Sequence, residues 1–442
     1  MDVVMTRTEG LGDATYLLRH EGVAMLVDPQ RDYTRFLGAL DGAELRFVVE
    51  THLHNDYVSG GKSAAEETGA ELVLPAGAGT VFPYRPAFHR EDVDAGSFVV
   101  TPLHTPGHTP EHVSYVIVIE GEAVAVFSGG SLLVGSAGRT DLLGEPRARQ
   151  LARLQYVSVT RLAELPRSVA LYPTHGEGSF CAAGGAGRHT STIGDELDSS
   201  PVLKYADADS FADGQLAGLE PYPTYYARMG PINLTGPTPM PAADPQRVGI
   251  LALEEFTGPV VDMRPRAEFA SGHIPGSIGI ELNDQFGTWA GWLIDAGAPI
   301  VLITNGRQDV TEATTQLGRI GMDRVAGIFD DLDGWRAGGR PLRAFRTMDV
   351  EGFRSAIHGD DPLQVLDVRS PSEHAAGSVP GAVHQYLPDL VSGMPDGLDP
   401  TRPVGVICAS GHRASIAAGL LERHGFEPAV LIQGGVADLV GR

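Results

Sequence analysis

Two cysteines in 442 residues, Cys181 and Cys408, are too few for a disulfide framework. A reducing compartment, and hence the cytoplasm, is the expectation. The chain also lacks an apolar run of membrane-spanning length. Its N-terminus, MDVVMTRTEG, has no basic region followed by an apolar stretch, so no signal peptide is expected. Positive charge is scarce as well. With 33 Lys and Arg against 56 Asp and Glu, the formal net charge is −23. Such a balance argues against nucleic acid or an anionic membrane as a partner. The remainder is ordinary for a globular protein, at 42% hydrophobic and 20% charged residues. The length calls for about two to four domains.

The most informative stretch is Val404 to Leu420, VGVICASGHRASIAAGL. It reads as an apolar strand, a short loop and an Ala-rich helix. A cysteine between a buried strand end and a helix start sits among unpaired backbone N–H groups. It also sits at the positive end of the helix dipole, and both favour a sulfur anion. Gly411 lets the loop curl round the sulfur, and Arg413 adds a fixed positive charge. Ala409, Ser410 and His412 complete a cradle for Cys-S⁻ or Cys-S-S⁻. A buried structural cysteine is the alternative. His412 reads equally as a solvent-facing residue or as one that selects the sulfur donor.

The pattern Cys-x-x-Gly-x-Arg after a strand resembles the active loop of rhodanese domains. The resemblance extends to Leu366-Asp-Val-Arg369, Glu373 and Gly377-Ser-Val-Pro-Gly-Ala382, with Ser378 where the family has His. It implies a sulfurtransferase with Cys408 and Arg413 as catalytic residues. Cys408 would take a sulfane sulfur from thiosulfate or a low-molecular-weight persulfide. It would pass the sulfur to a thiol or another acceptor, a protein included. This chemistry requires no cofactor.

The same motifs occur earlier as Val260-Val-Asp-Met-Arg264, Glu268 and Gly272-His-Ile-Pro-Gly-Ser277. The offset from Asp262 to Asp367 is 105 residues. Where the second copy has Cys408, the first reads as Asn305. An amide is no nucleophile, so the first copy is expected to be silent and to serve packing or docking. Anion binding by its Gly306/Arg307 loop is the other option.

Residues 1–190 alternate short apolar strands with turns and helices. Thr15–Arg19 and Val23–Asp28 read as paired strands, Asp32–Leu40 as a helix and Leu45–Glu50 as a buried strand. Residues 145–165 read as an amphipathic helix with Leu151, Leu154, Val157 and Leu162 on one side. Loops past the strands carry Thr51-His-Leu-His-Asn-Asp-Tyr57, His104-Thr-Pro-Gly-His108, Gly138-Arg-Thr-Asp141 and Pro173-Thr-His-Gly176. Imidazoles at i and i+2 can converge from an extended backbone, which is metal-ligand spacing. Several such loops along one sheet edge suggest a shared site; metal-free decoration is the alternative. Cys181 reads as a small buried hydrophobe or as a reactive thiol near the site mouth.

This set resembles the metallo-β-lactamase superfamily signature, and within it the persulfide dioxygenase branch. The resemblance implies a four-layer αββα fold and one non-haem iron held by two His and one Asp. Carried over, His52 and His108 would be ligands and Arg139 would help bind a glutathione moiety. His54, Asp56 and His175 match ligand positions of the wider superfamily. Two departures stand out. Gly130 occupies the place of the carboxylate ligand, and Tyr57 that of a further His. What remains, His52, His54 and His108, is a three-His set suited to Zn. Glu111 or Tyr57 could replace the missing ligand, although Glu111 also suits a cap or a solvent-facing position.

Residues 191–246 read as a connector with a short helix near Asp207–Leu219 and a Pro-rich boundary at Thr235–Pro241. Its strings Thr190–Gly194 and Tyr225–Asn233 resemble fusions of such a front domain to rhodanese domains. The expected fold is α/β. A metallo-β-lactamase-like sandwich spans 1–190, and rhodanese-like domains span 247–345 and 346–442. Three functions stay open. One is a Cys408 sulfurtransferase with a front domain that only binds a thiol. The second is an iron persulfide dioxygenase fused to a sulfurtransferase. The third has a zinc hydrolase or a metal-free scaffold in front. A homodimer is expected only by analogy with related front domains.

Overall fold

The computed structural model describes residues 1–182, 187–242, 244–359 and 362–440. The chain divides into two compact units. One comprises Met1–Pro241 with Gly318–Gly321, the other Ala242–Leu317 with Met322–Arg442. The division falls at the end of the Pro-rich stretch, where proline denies the backbone a helix or a central strand. No helix among the described residues is long and apolar enough to cross a membrane.

The front unit contains two six-stranded sheets. The first runs β1(Asp2–Thr8), β2(Asp13–His20), β3(Val23–Val27), β4(Glu44–Val49), β5(Glu71–Pro75), β6(Arg85–Ala87) in spatial order. The second holds β7(Val93–Asp94), β8(Val99–His104), β9(Val113–Ile119), β10(Glu122–Gly129), β11(Ala170–Pro173) and β12(Ser191–Thr192), in reverse order. Alternation along each strand builds the layers. Phe47 and Val49 of β4 join Tyr115 and Ile117 of β9 and Phe127 of β10 in the core between the sheets. Leu45 and Val48 instead face α1(Thr34–Leu37) and α2(Gly61–Thr68). Val116 and Val126 face α3(Glu145–Ala163), α4(Ile193–Ser199) and α5(Ala208–Ala217). Each large side chain so buried contributes about 1.5–3 kcal/mol of transfer free energy. The result is the expected αββα sandwich.

Two expectations need correcting. On α3, Leu151 and Leu162 are buried with Val159, Ala148 and Ala152, whereas Leu154 and Val157 are exposed. The face of α3 that meets the sheet is turned slightly from the expected stripe. Residues 191–241 are also more than a connector. They supply β12, which pairs with β11, and α4, α5 and α6(Tyr226–Thr235). Asp207 caps α5 in a reciprocal capping box with Ser210.

The rear unit holds two parallel sheets. The first copy carries α7(Ile250–Glu255), β13(Val260–Asp262), α8(Arg266–Ser271), β14(Ile278–Gly279), α9(Phe286–Leu293), β15(Ile300–Ile303), α10(Val310–Arg319), β16(Val325–Phe329) and α11(Leu332–Ala337). The second carries β17(Arg346–Met348), α12(Val350–His358), β18(Gln364–Asp367), α13(Pro371–Ala375), β19(Val383–His384), β20(Val404–Ile407), α14(His412–Arg423), β21(Pro428–Leu431) and α15(Val436–Val440). Strand orders are β14-β13-β15-β16 and β17-β21-β20-β18-β19. Helices on both faces account for the continuous apolar strands such as Ile300–Ile303 and Val404–Ile407. The Ala-rich α14 packs on β14 and α8, and its Gly419 lies against Phe269 of the first copy.

Candidate functional sites

Cys408 follows β20 and precedes α14, as the sequence pattern predicts, and is 1% exposed. Its Sγ accepts the Gly411 N–H at 3.1 Å. Its carbonyl accepts the Val436 N–H at 3.0 Å, which ties the strand end to α15. Gly411 has φ +83°, and a Cβ there would sit 2.2 Å from the Ile432 carbonyl oxygen. Only glycine lets the N–H turn back onto the sulfur. Ala409 and Ser410 are exposed at the tip of the loop.

Two neighbours differ from expectation. Arg413 is held by Glu373 through a bidentate pair, Nη1–Oε2 at 2.5 Å and Nη2–Oε1 at 2.7 Å. Glu373 also accepts the Ser370 N–H in the capping box of α13. Burial works against this carboxylate, but the Arg413 pair outweighs it and holds Glu373 below its ordinary range. Arg413 is therefore a brace for the loop rather than a free cation. His412 is buried, not solvent-facing. Burial, then Arg266 and Arg413, push its imidazole down to about 4. Its Nε2 lies 3.3 Å from Asn283 Nδ2 of the first copy.

Strand register corrects the counterpart of Cys408. Asp262 pairs with Ile303, and Asp367 pairs with Ile407. The next residues are Thr304 and Cys408, so Thr304, not Asn305, stands at the cysteine position. The Thr304 hydroxyl accepts the Gly306 N–H at 3.0 Å, much as Cys408 Sγ accepts that of Gly411. Asn305 instead donates to Glu268 at 2.7 Å.

In the front unit, loops after β4, β8 and β11 bring His52, His54, Asp56, His108 and His175 into one fully buried cluster. Each ring has one nitrogen engaged. His52 Nδ1 meets Thr51 Oγ1 at 2.8 Å, and His108 Nδ1 donates to the Arg139 carbonyl at 2.7 Å. His175 Nδ1 meets Asp13 at 2.8 Å and Asp56 at 3.3 Å. His54 Nε2 meets Asp28 at 3.3 Å and the Tyr57 hydroxyl at 3.1 Å. The other nitrogens are left for each other. His52 Nε2 and His175 Nε2 are 3.4 Å apart, and His108 Nε2 and His54 Nδ1 have no hydrogen-bond partner. The two oxygens of Asp56 have no hydrogen bond, only the 3.3 Å approach to His175 Nδ1.

Electrostatics follow from this crowding. Burial and neighbouring imidazoles hold His52 and His108 well below the ordinary range. Burial also opposes charge on His54, but Asp28 outweighs it and raises His54 to about 9. Asp13 and Asp56 are pushed up to about 7, chiefly by burial.

Buried donors with one side braced and the other unpaired fit a cation. Two imidazole nitrogens on one tetrahedral ion lie about 3.3 Å apart, close to the His52–His175 spacing. Among the described residues, three triplets bring one ligand atom each within 4.8 Å of one another. They are His52/His54/His175, His108/His175/Cys181 and Asp13/Asp56/His175. The expected His52/His54/His108 set is absent from them. His175 is the shared corner, because β11 delivers it beside both the β4 loop and Asp13.

Other expected residues lie elsewhere. Glu111 accepts the Leu53 N–H at 3.0 Å and lines a separate cavity of about 390 Å³ with His89 and His104. It braces a loop and joins none of the three triplets. Tyr57 stacks on His54. Arg139 is buried and engaged with Asp141, the Phe180 carbonyl and the Glu220 carbonyl, so it fixes the chain around Cys181 rather than facing a thiol ligand. His112 was missed. It is buried, stacks on His52 and accepts the Gly130 N–H at 2.9 Å. Its spacing of four from His108 was the available signal.

Comparison with known proteins agrees with both halves. The metallo-beta-lactamase superfamily model matches residues 10–175, and the rhodanese-like domain model matches 250–337 and 349–441. The chain is 30% identical over 201 residues to "Persulfide dioxygenase ETHE1, mitochondrial" of Homo sapiens, covering 43% of this chain and 70% of that protein. It is 34% identical over 164 residues to a hydroxyacylglutathione hydrolase of Methylobacillus flagellatus, covering 36% of this chain and spanning 60% of the relative's length. A crystal structure of a metallo-beta-lactamase from Staphylococcus aureus subsp. aureus COL superposes with a TM-score of 0.69 at 27% identity. It covers 74% of this chain and 98% of that one.

Proposed function

The chain belongs to the metallo-beta-lactamase superfamily, in its persulfide dioxygenase-like branch, with two rhodanese-like domains behind, and on that premise we propose a sulfurtransferase that works through a Cys408 persulfide. One observation carries this: the Cys408 sulfur accepts a backbone N–H at the head of α14. Backbone donors and the helix dipole stabilise a thiolate and equally the longer Cys-S-S⁻ anion. The thiolate attacks the outer sulfur of a persulfide RSS⁻. The S–S bond breaks, RS⁻ leaves with the bonding pair, and Cys408 holds the sulfur. An acceptor thiolate then takes it and restores Cys408-S⁻. With thiosulfate the leaving group is sulfite.

A metal in the front pocket would be held at His175, the residue shared by all three triplets, together with donors grouped around it. When bound, a first-row ion supplies Lewis acidity and, if it is iron, a place for O₂ beside a persulfide. The partnerless nitrogens of His54 and His108 favour a second reading, in which the front unit oxidises persulfides and the rear unit handles their sulfur.

Single-turnover sulfur transfer from thiosulfate and from glutathione persulfide tests the first reading. Cys408→Ser is expected to abolish it, and undiminished transfer would refute the proposal. Elemental mass spectrometry of anaerobically prepared protein separates the readings. Near-stoichiometric iron favours the dioxygenase fusion, zinc a hydrolytic or structural front unit, and absence of metal a binding scaffold.

A further inference from the structure

The packing explains why no carboxylate stands at Gly130. A Cβ there would lie 2.3 Å from His108 Cδ2 and 2.7 Å from Cγ. The pocket nonetheless has another anionic donor within reach. Cys181 is fully buried, and one ligand atom each from Cys181, His108 and His175 lies within 4.8 Å of the others. His108 Nε2, itself fully buried, has no hydrogen-bond partner. The chain around Cys181 is held in place. Arg139 donates its N–H to the Cys181 carbonyl at 2.9 Å and its guanidinium to the Phe180 carbonyl at 2.9 Å.

We propose that Cys181 Sγ is a metal ligand of the front pocket, with His108 and His175, and takes the place of the carboxylate missing at 130. His52 Nε2, 3.4 Å from that of His175, belongs to the adjoining triplet with His54. Nitrogen and sulfur donors on one tetrahedral ion lie roughly 3.6 Å apart, so the side chains draw inward by about an ångström on binding. The reaction is an exchange without redox change. The thiol S–H bond breaks, its proton leaves to solvent, and a sulfur–metal bond forms. A divalent ion bound there stabilises the thiolate that the step leaves. Two or three imidazoles with one thiolate select Zn, Co(II) or Fe(II) over Mg or Ca.

The inference rests on the reading that the front pocket takes a metal. Its test uses Co(II) as an optical probe in the full chain, in a Cys408→Ser background where Cys181 is the only thiol. Expected are near-stoichiometric binding, a sulfur-to-cobalt charge-transfer band in the near ultraviolet, and proton release. Cys181→Ser should lose the band and at least about 10-fold in affinity. Cys181→Asp should keep the cobalt without the band, which separates lost ligation from a failure to fold. Cobalt bound with no sulfur band in the background protein overturns the role of Cys181 alone. No cobalt bound overturns that role and the metal reading together.

Discussion

The two rhodanese copies share a scaffold and differ where chemistry would occur. In both, an Asp-x-Arg turn staples the strand end to the next loop. Arg264 Nη2 reaches Asp262 at 2.6 Å and the Gly272 carbonyl at 2.8 Å; Arg369 reaches Asp367 at 2.7 Å and the Gly377 carbonyl at 2.6 Å. Both also pair an arginine with a helix glutamate, the loop residue Arg307 with Glu268 and Arg413, in the first turn of α14, with Glu373. The loops then diverge. The second copy runs from Ile407 to a helix starting at His412, the first from Ile303 to one starting at Val310. The longer loop turns Asn305 and Arg307 outward onto Glu268, with Arg307 67% exposed against 16% for Arg413. The shorter loop tucks its arginine in and aims its glycine N–H at sulfur. A repeat can thus keep its braces and lose its reactive atom, because the braces are what the fold requires.

The largest test of this contrast is Cys408→Ser. Sulfur transfer should fall by at least about 10³-fold, since no other group replaces an essential nucleophile. Next is an attempt to erase the difference. Thr304→Cys added to Cys408→Ser should restore under about 1% of transfer, because the longer loop lacks the tucked anion cradle. Recovery in a single-turnover assay would show that the nucleophile alone separates the copies. A smaller effect is expected from Glu373→Gln, which removes one side of a partly exposed bidentate pair. It should cost about 1–2 kcal/mol in denaturant unfolding of the rear unit and slow transfer about 10-fold. The matching Glu268→Gln should cost about 0–1 kcal/mol and leave transfer unchanged.

His412 gives the smallest and most specific contrast. Its folded value of about 4 lies below the ordinary imidazole range. Between pH 6.5 and 4 the unfolded chain therefore binds the extra proton. Stability from this residue is present above about 6.5 and is lost as pH falls toward 4. His412→Asn should flatten that part of the stability–pH curve relative to the parent, measured by chemical unfolding at each pH.

The αββα sandwich, the paired copies and the boundary near Pro241 were legible because each rests on short-range pattern: strand alternation, Gly and Pro punctuation, and motifs a few residues long. The histidine pocket was legible as a set of loops but not as a set of neighbouring side chains. His175 became its hub through the meeting of β11 with the β4 loop, which no local spacing encodes. Cys181 was legible as a thiol near the site mouth but not as a neighbour of His108 and His175, which reach it from segments distant in sequence; His112, four residues from His108, had a local signal.

The sequence by itself determined the two fold types, the Cys408 cradle at a strand–helix junction and the repeat of Asp-x-Arg and Gly-x-x-Pro-Gly motifs. Tertiary structure alone decided that Thr304 is the counterpart of Cys408, that Arg413 is engaged by Glu373, that His412 is buried beside Asn283, and that no side chain fits at Gly130. The division has one physical cause. Motifs report what neighbours along the chain can do, whereas register, charge pairing and available volume are set by segments that meet only when the chain folds.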